Sequence, residues 1–273
     1  MAEIGIKFYP KSFVALIDIL GFKSIIENSE SEEYNMVFQN LTEIVSSQHT
    51  YTLTYPEKGK SEFKLNQHQE INYLIISDTI ILWSDDTSYP SFYSIVKAVR
   101  NIIWKCFKTQ YNIALRGAIV MDSVTIFDNR KAVNQKAIDA SIIGKAIIKA
   151  YELGNSLEWA GCYISPECFA ENDSSFELFK GGSSDLMFTV FDDLDFRQSG
   201  IVKCNVPFKT GSKEGYAVNW IHPFNVGMNV EESNIKSTFA KYPCPDDQQE
   251  KLKQKIENTI AFQRQFLSTE IPA

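Results

Sequence analysis

The chain has 273 residues, 44% of them hydrophobic and 22% charged, with a formal net charge of −7 and a pI of about 5.1. This is globular composition, and the length suits one large α/β or α+β unit. The acidic balance argues against long nucleic acids and anionic membrane surfaces, which need a basic face, but not against a nucleotide, because a bound cation can supply positive charge locally.

The five cysteines (Cys106, Cys162, Cys168, Cys204, Cys244) form no C-x-x-C pair and are odd in number, so they read as reduced thiols rather than a disulfide frame. Three histidines (His49, His68, His222) offer little for zinc. No apolar run approaches the ~20 residues a bilayer demands. The N-terminus MAEIGIKFYPKS lacks the basic start and apolar stretch of a signal peptide. The expectation is a soluble cytoplasmic protein that neither enters a membrane nor binds nucleic acid.

In chain order, residues 13–19 (FVALIDI) read as a buried strand, followed by Gly21. Tyr34, Val37, Phe38, Leu41, Ile44 and Val45 repeat at helical spacing. Residues 71–76 and 79–83 read as two strands joined at Ser77-Asp78, a hairpin signal. Phe92, Ile95, Val96, Val99, Ile102, Ile103 and Phe107 mark a second amphipathic helix, and 113–121 (IALRGAIVM) another strand. The order is strand, helix, strand, strand, helix, strand: an α+β, ferredoxin-like or palm core, βαββαβ. Its first crossover makes strands 1 and 2 parallel, with strand 3 antiparallel between them. The end of strand 1, carrying Asp18, and the turn carrying Asp78 are then expected side by side.

Beyond the core, 138–153 reads as a helix, and 162–165 and 188–194 as strands. Residues 201–206 and 216–220 suggest a hairpin, and 172–185, rich in Ser, Gly and Asp, a loop. After Pro243 and Pro245, Asp246-Asp247 opens a last helix with Leu252, Ile256, Ile260 and Phe266 on one face. The expected division is a domain over 1–242 and a C-terminal helical extension over 243–273, which packs on its own domain or extends a dimer.

Two facing carboxylates can hold one or two Mg²⁺ or Mn²⁺ ions, which prefer oxygen ligands, bridge phosphates and lower the pKa of an attacking hydroxyl. Either Asp alone would read as a strand end or a turn; the pair inside this topology reads as a metal site.

FVALIDILGF (13–22) resembles the first metal motif of class III adenylate and guanylate cyclases, and Ile76-Ser77-Asp78-Thr79 their second. Residues 115–119 and 144–153 resemble later motifs of that family in spacing, so that the likeness covers about 13–165. The resemblance implies two ions per site held by Asp18, the backbone of Ile19, and Asp78. It also implies a triphosphate resting on Leu20, Gly21, Phe22 and Lys23 at a helix N-terminus, and a head-to-tail homodimer with sites at the interface. In that dimer Arg116 and the helix bearing Lys149 would face a partner's Asp pair.

Departures from the family narrow the substrate. The purine-reading Lys falls on Leu74, and a second base-reading position on Ser141. The family's late Asn and Arg fall on Ile148 and Glu152. Compact bacterial cyclases of the anti-phage Pycsar systems, which make cyclic UMP or cyclic CMP, resemble this chain in "LRGA" (115–118), "GKAIIKAYEL" (144–153) and "NW" (219–220). The resemblance implies conversion of UTP to cyclic UMP and pyrophosphate, with CTP as the alternative substrate. A cyclase-fold binding or regulatory module without turnover, and a diguanylate-cyclase or polymerase-like palm, remain as other classes; no GGDEF-type run supports the last.

Several side chains carry roles with open alternatives. Arg116 reads a pyrimidine carbonyl, holds phosphate, or sits in a strand salt bridge; as a donor it matches uracil's carbonyl better than cytosine's amine. Lys149, one turn from Lys145, replaces the missing cation or lies on a solvated helix face. Lys209 is the late phosphate-binding Lys, with Lys213 or a solvated loop as alternatives. Tyr51 and Tyr73 stand near a base or in ordinary packing. Asp122 and Asp128 are expected as turn residues after the fourth strand.

Overall fold

A computed structural model describes residues 5–48, 50–56, 63–108, 112–128, 140–169, 200–221, 229–241 and 244–267. The strand expected at 188–194 and the loop expected at 172–185 lie outside the described residues.

The first core strand, β1 (Gly5–Ile19), is longer than its apolar run, with an irregularity in its pairing between Tyr9 and Ser12, beside Pro10. Two helices follow, α1 (Phe22–Asn28) and α2 (Ser31–Ser46), the second burying Val37, Leu41, Ile44 and Val45 as their spacing requires. A hairpin of β2 (Thr50–Pro56) and β3 (Phe63–Glu70) forms its own two-stranded sheet before the core resumes. That insertion was not expected, although TYTLTYP alternates β-formers with period two. Next come β4 (Asn72–Ile76), β5 (Thr79–Trp83), α3 (Tyr89–Lys108) and β6 (Leu115–Asp128). The remainder is β7 (Ala140–Ile143), α4 (Lys145–Ser156), β8 (Gly161–Ile164), β9 (Ile201–Phe208), β10 (Gly211–Val218), α5 (Glu232–Ala240) and α6 (Gln249–Leu267).

The strand order is β4-β5-β1-β6-β8-β10-β9, with β7 paired to β6. Within it β4, β5, β1 and β6 reproduce the βαββαβ core, with β5 antiparallel to both β1 and β4. The fold is α+β, as expected. The large core lies on one sheet face, where α2, α3, α5 and α6 bring Phe92, Val99, Phe107, Phe239 and Phe262 against Phe13, Ile17 and Leu115. A smaller core on the other face joins Val14, Leu16, Ile81, Trp83 and Val120 to Ala146 and Ala150 of α4. Alternation along β1 therefore sends odd positions to the large core and even ones, Asp18 included, to the α4 face.

Two boundaries are corrected. The helix expected from 138 starts at Lys145, because residues 140–143 pair with β6 as a strand. Gly144 makes the break: at φ +149 it passes so close to β6 that a Cβ would lie 2.4 Å from the Ser123 carbonyl oxygen. Asp122 and Asp128, expected in a turn, lie within β6, which continues because its outer half pairs with both β1 and β7.

The C-terminal helix packs on its own chain. Phe262 stacks on Trp220 at 5.7 Å and lies 4.4 Å from Trp159, and Thr259 Oγ1 accepts the Ala160 N–H. No helix among the described residues is long and apolar enough to cross a membrane.

Candidate metal and phosphate site

Asp18 pairs with Thr79 on one side and Arg116 on the other. The full cross-strand row is Ile76, Thr79, Asp18, Arg116 and Gly161. Side chains paired directly across strands stand on the same face, ~5 Å apart. The β4–β5 connection has only two residues, Ser77 and Asp78, so Asp78 is held beside the end of β1, and its carbonyl accepts the Ile19 N–H at 3.1 Å. Residues sixty apart in sequence meet because a two-residue turn leaves Asp78 no other place.

The two carboxyls are within hydrogen-bonding reach, and their mutual repulsion matters. Burial, then the neighbouring Asp78 charge, pushes the Asp18 carboxyl up to about 6, against the opposing pull of Arg116. Arg116 Nη2 is 3.8 Å from Asp18 Oδ2. The same nitrogen donates to Asn155 Oδ1 at 2.9 Å, and Nη1 to the Leu157 carbonyl at 3.3 Å. The end of α4 thus fixes the guanidinium, only 8% exposed, beside Asp18. Burial lowers its pKa, while Asp18 and then Glu158 raise it again. Arg116 therefore stands beside its own subunit's Asp18, a neighbour that the dimer expectation had not given it. Direct register between β1 and β6 leaves it no choice.

Ser77 takes φ +55, in the left-handed region that a side chain disfavours. Ser77→Gly should stabilise the chain by about 0.5–1 kcal/mol without moving Asp78. A melting temperature about 1–3 °C higher is expected by calorimetry; a lower one would show that the Ser77 side chain contributes to the turn.

The other expected residues divide. Leu20 lies at the site's margin, but its N–H already donates to the Ala114 carbonyl at 2.9 Å and is not free for phosphate. Gly21 caps α1 at φ +78, Lys23 is exposed and ion-paired with Glu27, and Phe22 packs edge-on against Phe38 at 5.5 Å. Leu74 lies one row from the Asp pair on the α4 face, opposite Ile81. Tyr73 pairs with Leu82, one position along β4 and so on the opposite face. Lys209 is in the β9–β10 turn; burial and then the Arg116 charge lower its pKa, so it shares Arg116's surroundings. The side chain of Tyr51 lies outside the described residues.

Lys149 is not brought to the pair. It contacts Asp122 closely and lies 3.9 Å from Glu167. Asp122 pairs with Ser12, six positions along β1 from Asp18, or about 20 Å of strand. Ile148 and Glu152 are exposed on α4. Sequence reasoning missed Asn155 and Thr79. Thr79 stood in the quoted motif without a role, and Asn155 follows the matched helix segment by two residues.

Asp18 and Asp78 offer only oxygen donors, with the Ile19 carbonyl next in the chain, and two carboxylates completed by phosphate oxygens and water would suit Mg²⁺ or Mn²⁺. Burial first and the Asp78 charge second raise the Asp18 pKa, and both costs are ones that a bound cation would relieve. Among the described residues no group of three or more His, Cys, Asp and Glu is assembled, so phosphate oxygens and water would have to complete the shell.

No protein-family model matches the chain, and no curated protein does. Among solved structures the chain is similar to the guanylyl cyclase domain of the RhoGC fusion protein from the aquatic fungus Blastocladiella emersonii, at 13% identity over 79% of this chain and 97% of that one, TM-score 0.46. It is similar to the guanylyl cyclase Cya2 at 10% identity, covering 83% and 100%, TM-score 0.44. A third is the guanylate cyclase domain of RhGC from Catenaria anguillulae in complex with GTP, at 16% identity, covering 78% and 98%, TM-score 0.42.

Proposed function

We propose that the chain is a nucleotide cyclase of the class III kind, converting UTP to 3′,5′-cyclic UMP and pyrophosphate in bacterial anti-phage signalling, with CTP as the alternative substrate. The observation that carries this reading is the Asp18–Asp78 pair at the end of β1, faced by the buried Arg116 guanidinium. In the reaction the ribose 3′-oxygen bonds to the α-phosphorus, the bond to the β-phosphate oxygen breaks, pyrophosphate leaves, and the hydroxyl proton passes to solvent. Asp18, Asp78 and the Ile19 carbonyl would hold Mg²⁺ or Mn²⁺, two ions per site, which when bound lower the hydroxyl's pKa and neutralise the triphosphate. Arg116, held by Asn155 and Leu157 and 3.8 Å from the Asp18 carboxylate, presents preorganised positive charge to phosphate. Leu74 has no donor or acceptor, so nothing at that position selects a purine edge.

A head-to-tail homodimer is part of this reading. Ile148 and Tyr151, 60% and 59% exposed on the outer face of α4, are apolar surface that a second copy would cover. Lys149 is held by Asp122, six strand positions from Asp18, so in this reading the lysine serves a partner's site and not its own.

The test is incubation of the purified chain with Mn²⁺ and each of the four ribonucleoside triphosphates. Cyclic UMP and pyrophosphate from UTP are expected, with specific activity falling on dilution as dimers separate. Product from ATP alone would overturn the pyrimidine assignment. A monomeric mass with activity independent of concentration would remove the homodimer. A second reading, a cyclase-fold nucleotide-binding or regulatory module, is favoured by one observation: Lys149 is neutralised by Asp122, and Ile148 and Glu152 supply neither Asn nor Arg. Absence of product from all four triphosphates would put it first.

A further inference from the structure

A cavity of about 620 Å³ opens between the β1–α1 loop and the C-terminal helix, within the size range of small-ligand sites. Gly21, Lys23 and Arg116 line one side, and Cys244, Lys251 and Lys255 the other. Four cations and one carboxylate, Glu27, are among its lining residues. Lys23 is ion-paired with Glu27 at 3.6 Å and Lys255 with Glu158 at 2.6 Å. Lys251 has no ion pair among the described residues. Arg116 reaches Asp18 only at 3.8 Å, and its buried Nε has no hydrogen-bond partner among the described residues. Positive charge therefore exceeds negative in a concave site, and a buried donor is left to satisfy.

We propose that α6 completes a polyphosphate pocket against the β1–α1 loop, in which Lys251 docks the pyrophosphate end of a nucleoside triphosphate. This rests on the cyclase reading and gives the C-terminal helix a part in it. Arg116 is common to the Asp18 row and to the cavity, so the cavity adjoins the Asp pair through a cation. A guanidinium and an ammonium are the donors that phosphate oxygens select. Burial and then the Arg116 charge lower the Lys209 pKa, with Lys255 and Lys251 adding to them against the pull of Glu158, so cations outnumber carboxylates around this lysine.

Cys244 supplies a readout independent of turnover: it lines the cavity and is partly exposed, whereas the other four cysteines are buried. Inorganic tripolyphosphate, added to the full chain in EDTA, should bind by calorimetry and slow alkylation of Cys244 by iodoacetamide. Lys251→Glu, at an exposed position where folding is not at risk, should weaken binding roughly tenfold. Asp18→Asn, which removes the metal pair, should keep it. Uridine monophosphate should protect Cys244 far less than tripolyphosphate. The proposal falls if tripolyphosphate gives no protection, if Lys251→Glu binds as the parent does, or if the monophosphate protects equally. Lys251-dependent binding in a chain inert toward all four triphosphates would sink the cyclase reading and leave the pocket standing. Turnover without such binding would do the reverse.

Discussion

Asp18→Asn should abolish turnover and, in the same variant, raise the stability of the metal-free protein. Activity is lost because the pair that holds the cation is halved. Stability rises because the Asp18 carboxylate is disfavoured in the folded chain. Its pKa goes from the ordinary carboxylate value to about 6, through burial first and the Asp78 charge second. A folded-state pKa above the unfolded one means the native state binds more protons between about pH 4 and pH 6. Stability therefore falls as pH rises through that window, and the full cost is present above pH 6. A shift of two units would be near 3 kcal/mol if fully buried. The side chain is 32% exposed, so solvent screening reduces this to about 1 kcal/mol. In EDTA at pH 7.5 the variant should melt about 2–4 °C higher, and the gap should close below about pH 4. Adding Mg²⁺ should stabilise the parent and not the variant, because only a state that binds the ion gains from it. An unchanged or lower melting temperature at pH 7.5 would mean that Arg116 outweighs the repulsion.

Gly117→Ala should cost about 3 kcal/mol or more, seen as a melting temperature lower by about 10 °C or as loss of soluble protein. Gly117 pairs with Ile17 across the β1–β6 ladder. A Cβ there would lie 2.3 Å from the Leu16 carbonyl oxygen and 2.9 Å from the Ile17 Cα. Both atoms are backbone of the central strand, and neither can yield without breaking the ladder that carries Asp18. Gly154→Ala is the control. Its Cβ would meet Gly117 Cα at an ordinary 3.6 Å, and alanine favours the helix by about 1 kcal/mol. A Gly117→Ala protein that melts with the parent would show that the strands can separate locally at little cost.

The glycine of the LRGA motif thus has a steric explanation, whereas the arginine before it has a chemical one. The sequence pattern suggested that the motif mattered without separating the two. Period-two and period-3.6 patterns were strong where one face is buried, which is why β5 and α3 were legible nearly to their ends. They were weak where a strand runs on past the core. The outer half of β6, carrying Thr125 and Phe127, takes its conformation from pairing with β1 and β7 rather than from its own alternation. β7 was hidden for the same reason, inside a stretch whose apolar residues also fit a helix.

By itself the sequence determined the α+β order and the meeting of Asp18 with Asp78, because crossover handedness and a two-residue turn leave few topologies. Only the tertiary structure decided which cations join that pair. Cross-strand register put Arg116 beside Asp18 in the same chain, and the contact with Asp122, six strand positions along, held Lys149 away from the pair. Packing of Phe262 between Trp159 and Trp220 brought α6 and Lys251 to the far wall of the cavity. Local patterns encode which face a residue takes. Its neighbours across strands and helices depend on register and docking, which are settled by contacts between segments far apart in the chain.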